Sequence, residues 1–164
     1  MNRHLVPAQD GGGQDGTEQP SAQVAKEALQ RSLAGEHAAI WAYSTALAFL
    51  PPDAASRART ELEAHRTLRR EVSEALTELG ERPVSAQPAY TPPQPVVDEL
   101  SASALLVTAE TDAAAAWRSL VERAPSREMR QAGLTRMIES TVRCAFWRRA
   151  TDRSPAIPVF PGRS

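Results

Sequence analysis

Prolines occupy only a few places in this 164-residue chain, and their positions limit what the chain can fold into. Pro51 and Pro52 form one break, Pro125 forms another, and five further prolines lie within residues 81–97. Proline lacks a backbone donor and collides with the preceding helical turn, so these positions end helices rather than continue them. The chain between residues 21 and 152 is thereby divided into four segments that are each long enough for a helix.

Composition favours helices in all four segments. Alanine and leucine dominate the apolar content, aromatic residues make up only 5% of the chain, and β-branched residues do not form alternating runs. Straight-chain residues and alanine lose little freedom in a helix, whereas strands are marked by alternating β-branched and aromatic residues. A chain of this length fits one hydrophobic core, so we expect a single all-α domain.

Helix-capping and helix-breaking residues mark the predicted helix ends. Asp53 is predicted to cap the second helix, and Gly80 is predicted to end it in the left-handed conformation. The third helix is predicted to begin near Asp98 or Ser101, and Ser126 is predicted to cap the fourth. The fourth helix should end around residue 151, before a proline-rich tail.

Apolar residues recur at steps of three and four within each segment, which predicts one inward line per helix. The first line is Leu29, Leu33, Glu36, Ile40, Tyr43, Leu47 and Leu50, and the second is Ala58, Leu62, His65, Arg69, Val72, Leu76 and Leu79. The third is Leu106, Glu110, Ala113, Trp117 and Leu120. The fourth is Leu134, Ile138, Thr141, Ala145 and Arg148, flanked by Glu139, Val142 and Phe146.

Connection lengths predict the topology. The first and third connections are so short that they must join antiparallel neighbours. An extended proline-rich stretch over 81–97 reaches roughly 50 Å, which is enough to cross the length of a bundle. We therefore predict a ferritin-like four-helix bundle with one long crossover between helices 2 and 3. Its parts are a disordered lead-in over 1–20, the bundle over 21–152 and the tail over 153–164.

Ionisable residues interrupt the inward lines on all four helices. Glu36, His65, Glu110 and Glu139 lie on or beside these lines, and a lone buried carboxylate is costly unless it is paired or bound to metal. Carboxylate and imidazole ligands suit iron or manganese, so this set is a candidate metal site. Di-iron bundles use two Glu-x-x-His pairs, but here Leu62 stands three residues before His65. Val142 stands three residues after Glu139, where this pattern has a histidine, so the ligand set is incomplete.

Arginine offers a second explanation for the same carboxylates. Arg69 lies one turn beyond His65, and Arg143 lies one turn beyond Glu139. A guanidinium paired with Glu36 or Glu110 neutralises the cluster without an ion, and Tyr43 can add a hydrogen bond. The sequence therefore leaves a metal site and a polar network of Tyr43, Arg69 and Arg143 as alternatives.

Several functional classes lack support in the sequence. The formal net charge is −1, so nucleic-acid binding is not expected, and no apolar run is long enough to cross a bilayer. Cys144 has no second cysteine to pair with, which suits a cytoplasmic protein. Trp41, Trp117 and Trp147 are interpreted as packing residues, and His37 should point away from the core.

Three segments resemble an uncharacterised ferritin-like family of alanine-rich proteins found mainly in actinobacteria, of the DUF4439 type. These are residues 36–43, Ala64-His65-Arg66 and the run from Ala113 to Arg118. The fourth helix and the closing Val159-Phe160-Pro161-Gly162 are also similar to that family. The resemblance implies a di-iron-type fold and a domain of unknown function. It places Glu36, His65, Glu110 and Glu139 where ferritin-like proteins hold metal.

Three functional hypotheses follow from the sequence. The first is a helical-bundle protein of undefined role with a buried Glu/His/Arg cluster. The second is a metal-dependent oxidoreductase with a mononuclear or degenerate di-iron site. The third is an interaction module that binds a partner through the bundle surface and the crossover, with a homodimer as the simplest case.

Overall fold

The computed structural model describes residues 18–158 and 160–162 and contains four long helices. They are α1 (Glu18–Ala46), α2 (Pro52–Glu78), α3 (Glu99–Arg123) and α4 (Arg127–Ala150). Residues 1–17 of the predicted disordered lead-in lie outside the described residues, whereas residues 18–20 already belong to α1. None of these helices is both long and apolar enough to span a bilayer.

The order of contacts along the helices confirms the predicted crossover. Glu36 of α1 contacts Trp117, and Tyr43 contacts Glu110, so α1 and α3 run in opposite directions. One core cluster joins the beginning of α2 to the beginning of α3, and a second cluster joins their ends. These two helices are therefore parallel, and residues 79–98 run the length of the bundle between them. This is the all-α, ferritin-like arrangement with one long connection.

Side chains of α1 fasten the crossover to the bundle. The amide of Gln30 donates to the carbonyl of Arg82 at 2.8 Å and accepts from the Val84 amide at 2.8 Å. His37 Nε2 lies 3.1 Å from the Val84 carbonyl, so His37 points away from the core as predicted. Further along, the rings of Trp41 and Tyr90 lie 5.6 Å apart. The connection is thus held along the outer side of α1.

Helix ends follow the sequence signals with one exception. Asp98 caps α3 in a reciprocal box with Ser101, and the Ser126 hydroxyl accepts from the Met129 amide at 3.1 Å. Gly80 ends α2 with a φ of 74°. The prediction for Asp53 is wrong, because α2 begins one residue earlier at Pro52. Proline suits the first helical position, where no backbone donor is needed, and Asp53 instead places its charge in the first turn.

The predicted inward line of α4 is also wrong. Leu134, Ile138, Val142 and Phe146 are 36%, 52%, 57% and 38% exposed. The buried residues of α4 are Gly133, Ser140, Arg143, Cys144 and Trp147. Small residues on this face let α4 approach α3 closely, and its two long residues reach polar partners in the core. The helix is therefore rotated, and its apolar stripe faces outward.

Candidate functional site

His65 lies at the centre of the bundle between two carboxylates from other helices. Its Nδ1 is 2.7 Å from Glu36 Oε2 on α1, and its Nε2 is 2.9 Å from Glu110 Oε1 on α3. All three side chains have no exposed surface. The residues lie here because each stands on the inward line of its helix, as predicted. The imidazole thus joins three helices at one point.

The two contacts define the protonation state of His65. An ionised carboxylate only accepts hydrogen bonds, so an imidazole that bonds to two ionised carboxylates donates from both nitrogens and carries a positive charge. Burial lowers the pKa of His65, but the hydrogen bonds and charges of Glu110 and Glu36 outweigh it and raise the pKa to about 9. His65 is therefore an imidazolium near neutral pH.

Glu110 collects donors from three helices on one oxygen. Its Oε1 accepts from Tyr43 at 2.7 Å, from His65 at 2.9 Å and from Arg143 Nε at 2.9 Å. Burial raises the pKa of Glu110, but the hydrogen bond and charge of His65 and the charge of Arg143 together have a larger, opposite effect. The net pKa therefore lies below the ordinary value. The other oxygen, Oε2, is buried without a hydrogen-bond partner among the residues that the structure describes.

Glu61 belongs to the same cluster, although it does not stand on the predicted inward line of α2. Its Oε2 lies 2.9 Å from the Tyr43 hydroxyl, whose single proton is shared with Glu110, and it accepts from Trp147 at 2.8 Å. The Glu61 side chain is 8% exposed. Arg57 Nε lies 2.9 Å from the other oxygen without alignment for a hydrogen bond. Burial raises the pKa of Glu61, and Trp147, Tyr43 and Arg57 offset only part of that effect.

Two tryptophans, interpreted as packing residues, also donate to the cluster. Trp117 Nε1 donates to Glu36 Oε1 at 2.8 Å, and Trp147 donates to Glu61. Both side chains are buried, and a buried indole N–H usually finds an acceptor. This rule was the available sequence signal for both tryptophans. For Glu61 the signal was its place one turn before His65, on the same side of α2.

Two candidate residues lie elsewhere. Glu139 is part of a surface network, where Arg136 contacts both Glu139 and Glu71 at 3.1 Å. The rotation of α4 carries Glu139 away from the centre and brings Arg143 in. Arg69 lines a separate cavity beside the crossover, so Arg143 rather than Arg69 supplies the guanidinium.

The charges of the cluster compensate one another. Glu36, Glu61 and Glu110 provide three carboxylates, and the facing cations are His65, Arg57 and Arg143. A buried carboxylate is strongly unfavourable alone but tolerated when it is paired and hydrogen-bonded. Arg143 also lines a groove between α2 and α4, so it lies between Glu110 and solvent.

The donor set does not fit the metal that di-iron bundles hold. A histidine ligand needs a free lone pair, but both nitrogens of His65 lie within 2.9 Å of carboxylate oxygens, which leaves no room for a metal ion between them. The cation of Arg143 stands 2.9 Å from Glu110, where a metal ion would repel it. Within residues 18–158 and 160–162, no three His, Cys, Asp or Glu residues are arranged to hold a metal ion.

Two solved structures share this architecture. A conserved hypothetical protein from Mycobacterium tuberculosis is 33% identical, with a TM-score of 0.75 over 78% of this chain and 97% of that one. A ferritin-like, diiron-carboxylate protein from Bacillus anthracis is 17% identical, with a TM-score of 0.71 over 80% and 97%. The second likeness shows the fold alone. A search of curated proteins gives no match.

A family model covers nearly the whole bundle and the tail. It matches residues 28–164, a range that contains every residue of the polar cluster and the crossover. The chain therefore belongs to the family described as a domain of unknown function, DUF4439, and has the ferritin-like fold.

Proposed function

We propose that this protein is a ferritin-like scaffold whose central carboxylates are bridged by a protonated histidine, His65, rather than by a metal ion. One observation carries the proposal: both nitrogens of His65 face carboxylate oxygens, at 2.7 and 2.9 Å. In di-iron bundles, ligands from facing helices meet at metal ions in the core. Here the imidazolium and Arg143 join the carboxylates of α1 and α3.

The proposal predicts a specific dependence of stability on pH. A raised pKa means that the folded state binds the His65 proton more tightly, so its contribution is complete below the ordinary pKa of 6.5. The contribution is lost as the pH rises through about 9. The pKa of His65 rises from 6.5 to about 9, and each pKa unit corresponds to about 1.4 kcal/mol. The total loss of folding stability is therefore on the order of 3 kcal/mol.

The test compares the free energy of unfolding of the native protein and of His65→Gln across this pH range. We expect the difference between the two proteins to shrink as the pH rises. Ring ¹⁵N signals of His65 should report an imidazolium at neutral pH, and His37→Gln serves as the control that leaves them unchanged. A neutral His65 at pH 7 would contradict the proposal.

Elemental analysis tests the metal-dependent alternative directly. The protein is purified without a metal-affinity tag from cells supplied with iron, manganese and zinc. Near-stoichiometric metal that is lost in Glu36→Gln would replace our proposal with a metal carrier or oxidoreductase. A protein that keeps an imidazolium at His65 and binds no metal under these conditions would support the scaffold.

A second candidate function is self-association, and the outer face of α4 favours it. We define this outer stripe as Leu134, Ile138, Val142 and Phe146, which are all exposed. Its spacing is symmetric, so an antiparallel copy places Leu134 opposite Phe146 and Ile138 opposite Val142. A two-fold dimer requires a self-complementary surface of this kind.

Charges at the two ends of the stripe suit the same arrangement. The antiparallel copy brings Arg149 at one end within about one turn of Glu128 at the other. Neither side chain forms an ion pair within the described part of the chain. Each dimer would therefore gain two such pairs around an apolar centre.

Sedimentation over a wide range of protein concentrations tests the dimer. We expect Val142→Glu to shift the protein toward the monomer. Leu100→Glu is the matched control, because Leu100 is 60% exposed but lies outside the stripe. A native protein that stays monomeric, or an equal effect of the two variants, would contradict self-association through α4.

We place the protein in the cytoplasm as part of this proposal. The lone cysteine, Cys144, is buried and free, which suits a reducing compartment. Cell fractionation tests the location, and recovery outside the cytoplasm would contradict it.

A further inference from the structure

A cavity of about 350 Å³ lies between α1, α2 and the crossover, apart from the buried cluster. Its walls are His37, Ile40 and Trp41 of α1, Arg69 of α2 and residues 86–90 of the crossover. This volume falls within the range of cavities that bind small molecules. None of the lining residues takes part in the polar cluster, so the proposed scaffold leaves the cavity without a role.

Arg69 differs from the other half-buried arginines. Within the described chain, its side chain has no hydrogen bond or ion pair. Each of the others has an acceptor: Arg57 with Glu61, Arg118 with Glu122, Arg136 with Glu71 and Glu139, and Arg148 with the Pro155 carbonyl. A guanidinium presents five N–H donors in a fixed fork that matches a carboxylate. Arg69 therefore offers an unused anion-binding group.

The remaining walls are flat, aromatic and free of negative charge. The rings of Trp41 and Tyr90 lie 5.6 Å apart at an angle of 34°. The His37 contact with the Val84 carbonyl requires a proton on Nε2, so in the neutral ring Nδ1 is an acceptor. No aspartate or glutamate belongs to the described lining of the cavity. The cavity thus combines one cation with an aromatic surface.

The crossover holds this wall in place without a ligand. Gln30 binds the backbone at Arg82 and Val84, and the Gln87 amide donates to the Tyr90 hydroxyl at 3.2 Å. Pro88 restricts the backbone within the second of these contacts, between Gln87 and Tyr90. A wall fixed in this way lowers the ordering cost of binding.

We propose that this cavity binds a small planar organic monoanion, namely an aromatic carboxylate. The carboxylate pairs with Arg69 through two N–H donors, and the ring packs against Trp41 and Tyr90. One unpaired cation compensates one negative charge, which favours a carboxylate over a doubly charged phosphate. The amphipathic chemistry of the cavity, a cation beside aromatic rings, defines this class of ligand.

An NMR titration with benzoate and 2-naphthoate tests the site, with benzamide as the neutral control. We expect saturable shifts of the Trp41 indole and His37 ring signals with either acid, and weaker binding of benzamide. Arg69→Gln should weaken binding of the acids at least tenfold. Arg69→Lys should have an intermediate effect, because it keeps the charge but loses the fork.

Arg70→Gln is the matched control, since it removes the same charge from an exposed neighbouring position on α2. Binding that survives Arg70→Gln but not Arg69→Gln would support the site. Three outcomes would overturn it: no saturable shift with either acid, equal affinity for benzamide, or equal weakening by the two variants. Circular dichroism of each variant ensures that lost binding does not reflect lost folding.

Discussion

Helices α3 and α4 pack closely against each other, yet they bury opposite kinds of residues. The buried side of α3 is mostly apolar and follows the predicted line, including Leu106, Trp117 and Leu120. The buried side of α4 contains small residues, Arg143 and Trp147, while its apolar stripe faces outward. Apolar periodicity therefore identifies a face of a helix, but it does not show whether that face turns toward the core.

The largest expected difference in folding stability is between variants of an inward and an outward residue of α4. Trp147 is fully buried and donates to Glu61, so Trp147→Ala should lower the free energy of unfolding by about 4 kcal/mol. Ile138 is 52% exposed, and Ile138→Ala should change it by less than about 1 kcal/mol. Urea denaturation at low protein concentration measures both. Similar losses would show that the outer stripe is buried in the folded protein.

A smaller difference in folding stability is expected between variants of the inward Arg143 and the outward Arg149 of α4. Arg143→Met removes the guanidinium from Glu110 and should lower the free energy of unfolding by about 3 kcal/mol, because a buried carboxylate loses its partner. Arg149→Met removes an exposed charge from the same helix and should change it by less than about 0.5 kcal/mol. The same urea experiment compares them. A tolerated Arg143→Met would mean that Glu110 does not depend on this ion pair.

The smallest expected effect concerns two glycines against α3. A Cβ at Gly35 would lie 3.6 Å from Ala116 Cβ, so Gly35→Ala should stabilise the protein by about 1 kcal/mol through helix propensity. A Cβ at Gly133 would lie 3.1 Å from Val121 Cγ2, so Gly133→Ala should lower stability by about 1 kcal/mol. Thermal unfolding measures both variants. Equal gains would show that α4 packs less tightly against α3 than the structure indicates.

Local signals were sufficient for most of the fold. Proline positions, the Asp98 and Ser126 caps and Gly80 determine where helices end, since each acts on the backbone within one turn. The crossover also follows from the length of the connection between α2 and α3, because an extended connection of that length can cross the bundle and join two parallel helices. These predictions needed no knowledge of neighbouring helices.

The candidate site was predictable only in part. Glu36, His65 and Glu110 were predicted to face inward and are fully buried, so their meeting point followed from helix periodicity. Glu61 did not follow, and Arg143 was predicted only together with Arg69, because the burial of such residues depends on partners from other helices. The place of Glu61 one turn before His65 puts both on the same side of α2, but helix periodicity does not show that Glu61 is buried together with its neighbour Leu62.

Sequence signals were enough to predict four helices, most of their ends, their order and a polar centre on three of them. The rotation of α4, the choice of Arg143 over Arg69, and the pairing of His65 with two carboxylates arise only from packing between helices. The reason is physical: helix geometry is set by nearest neighbours along the chain, whereas burial of a charge depends on compensating groups that arrive from other helices.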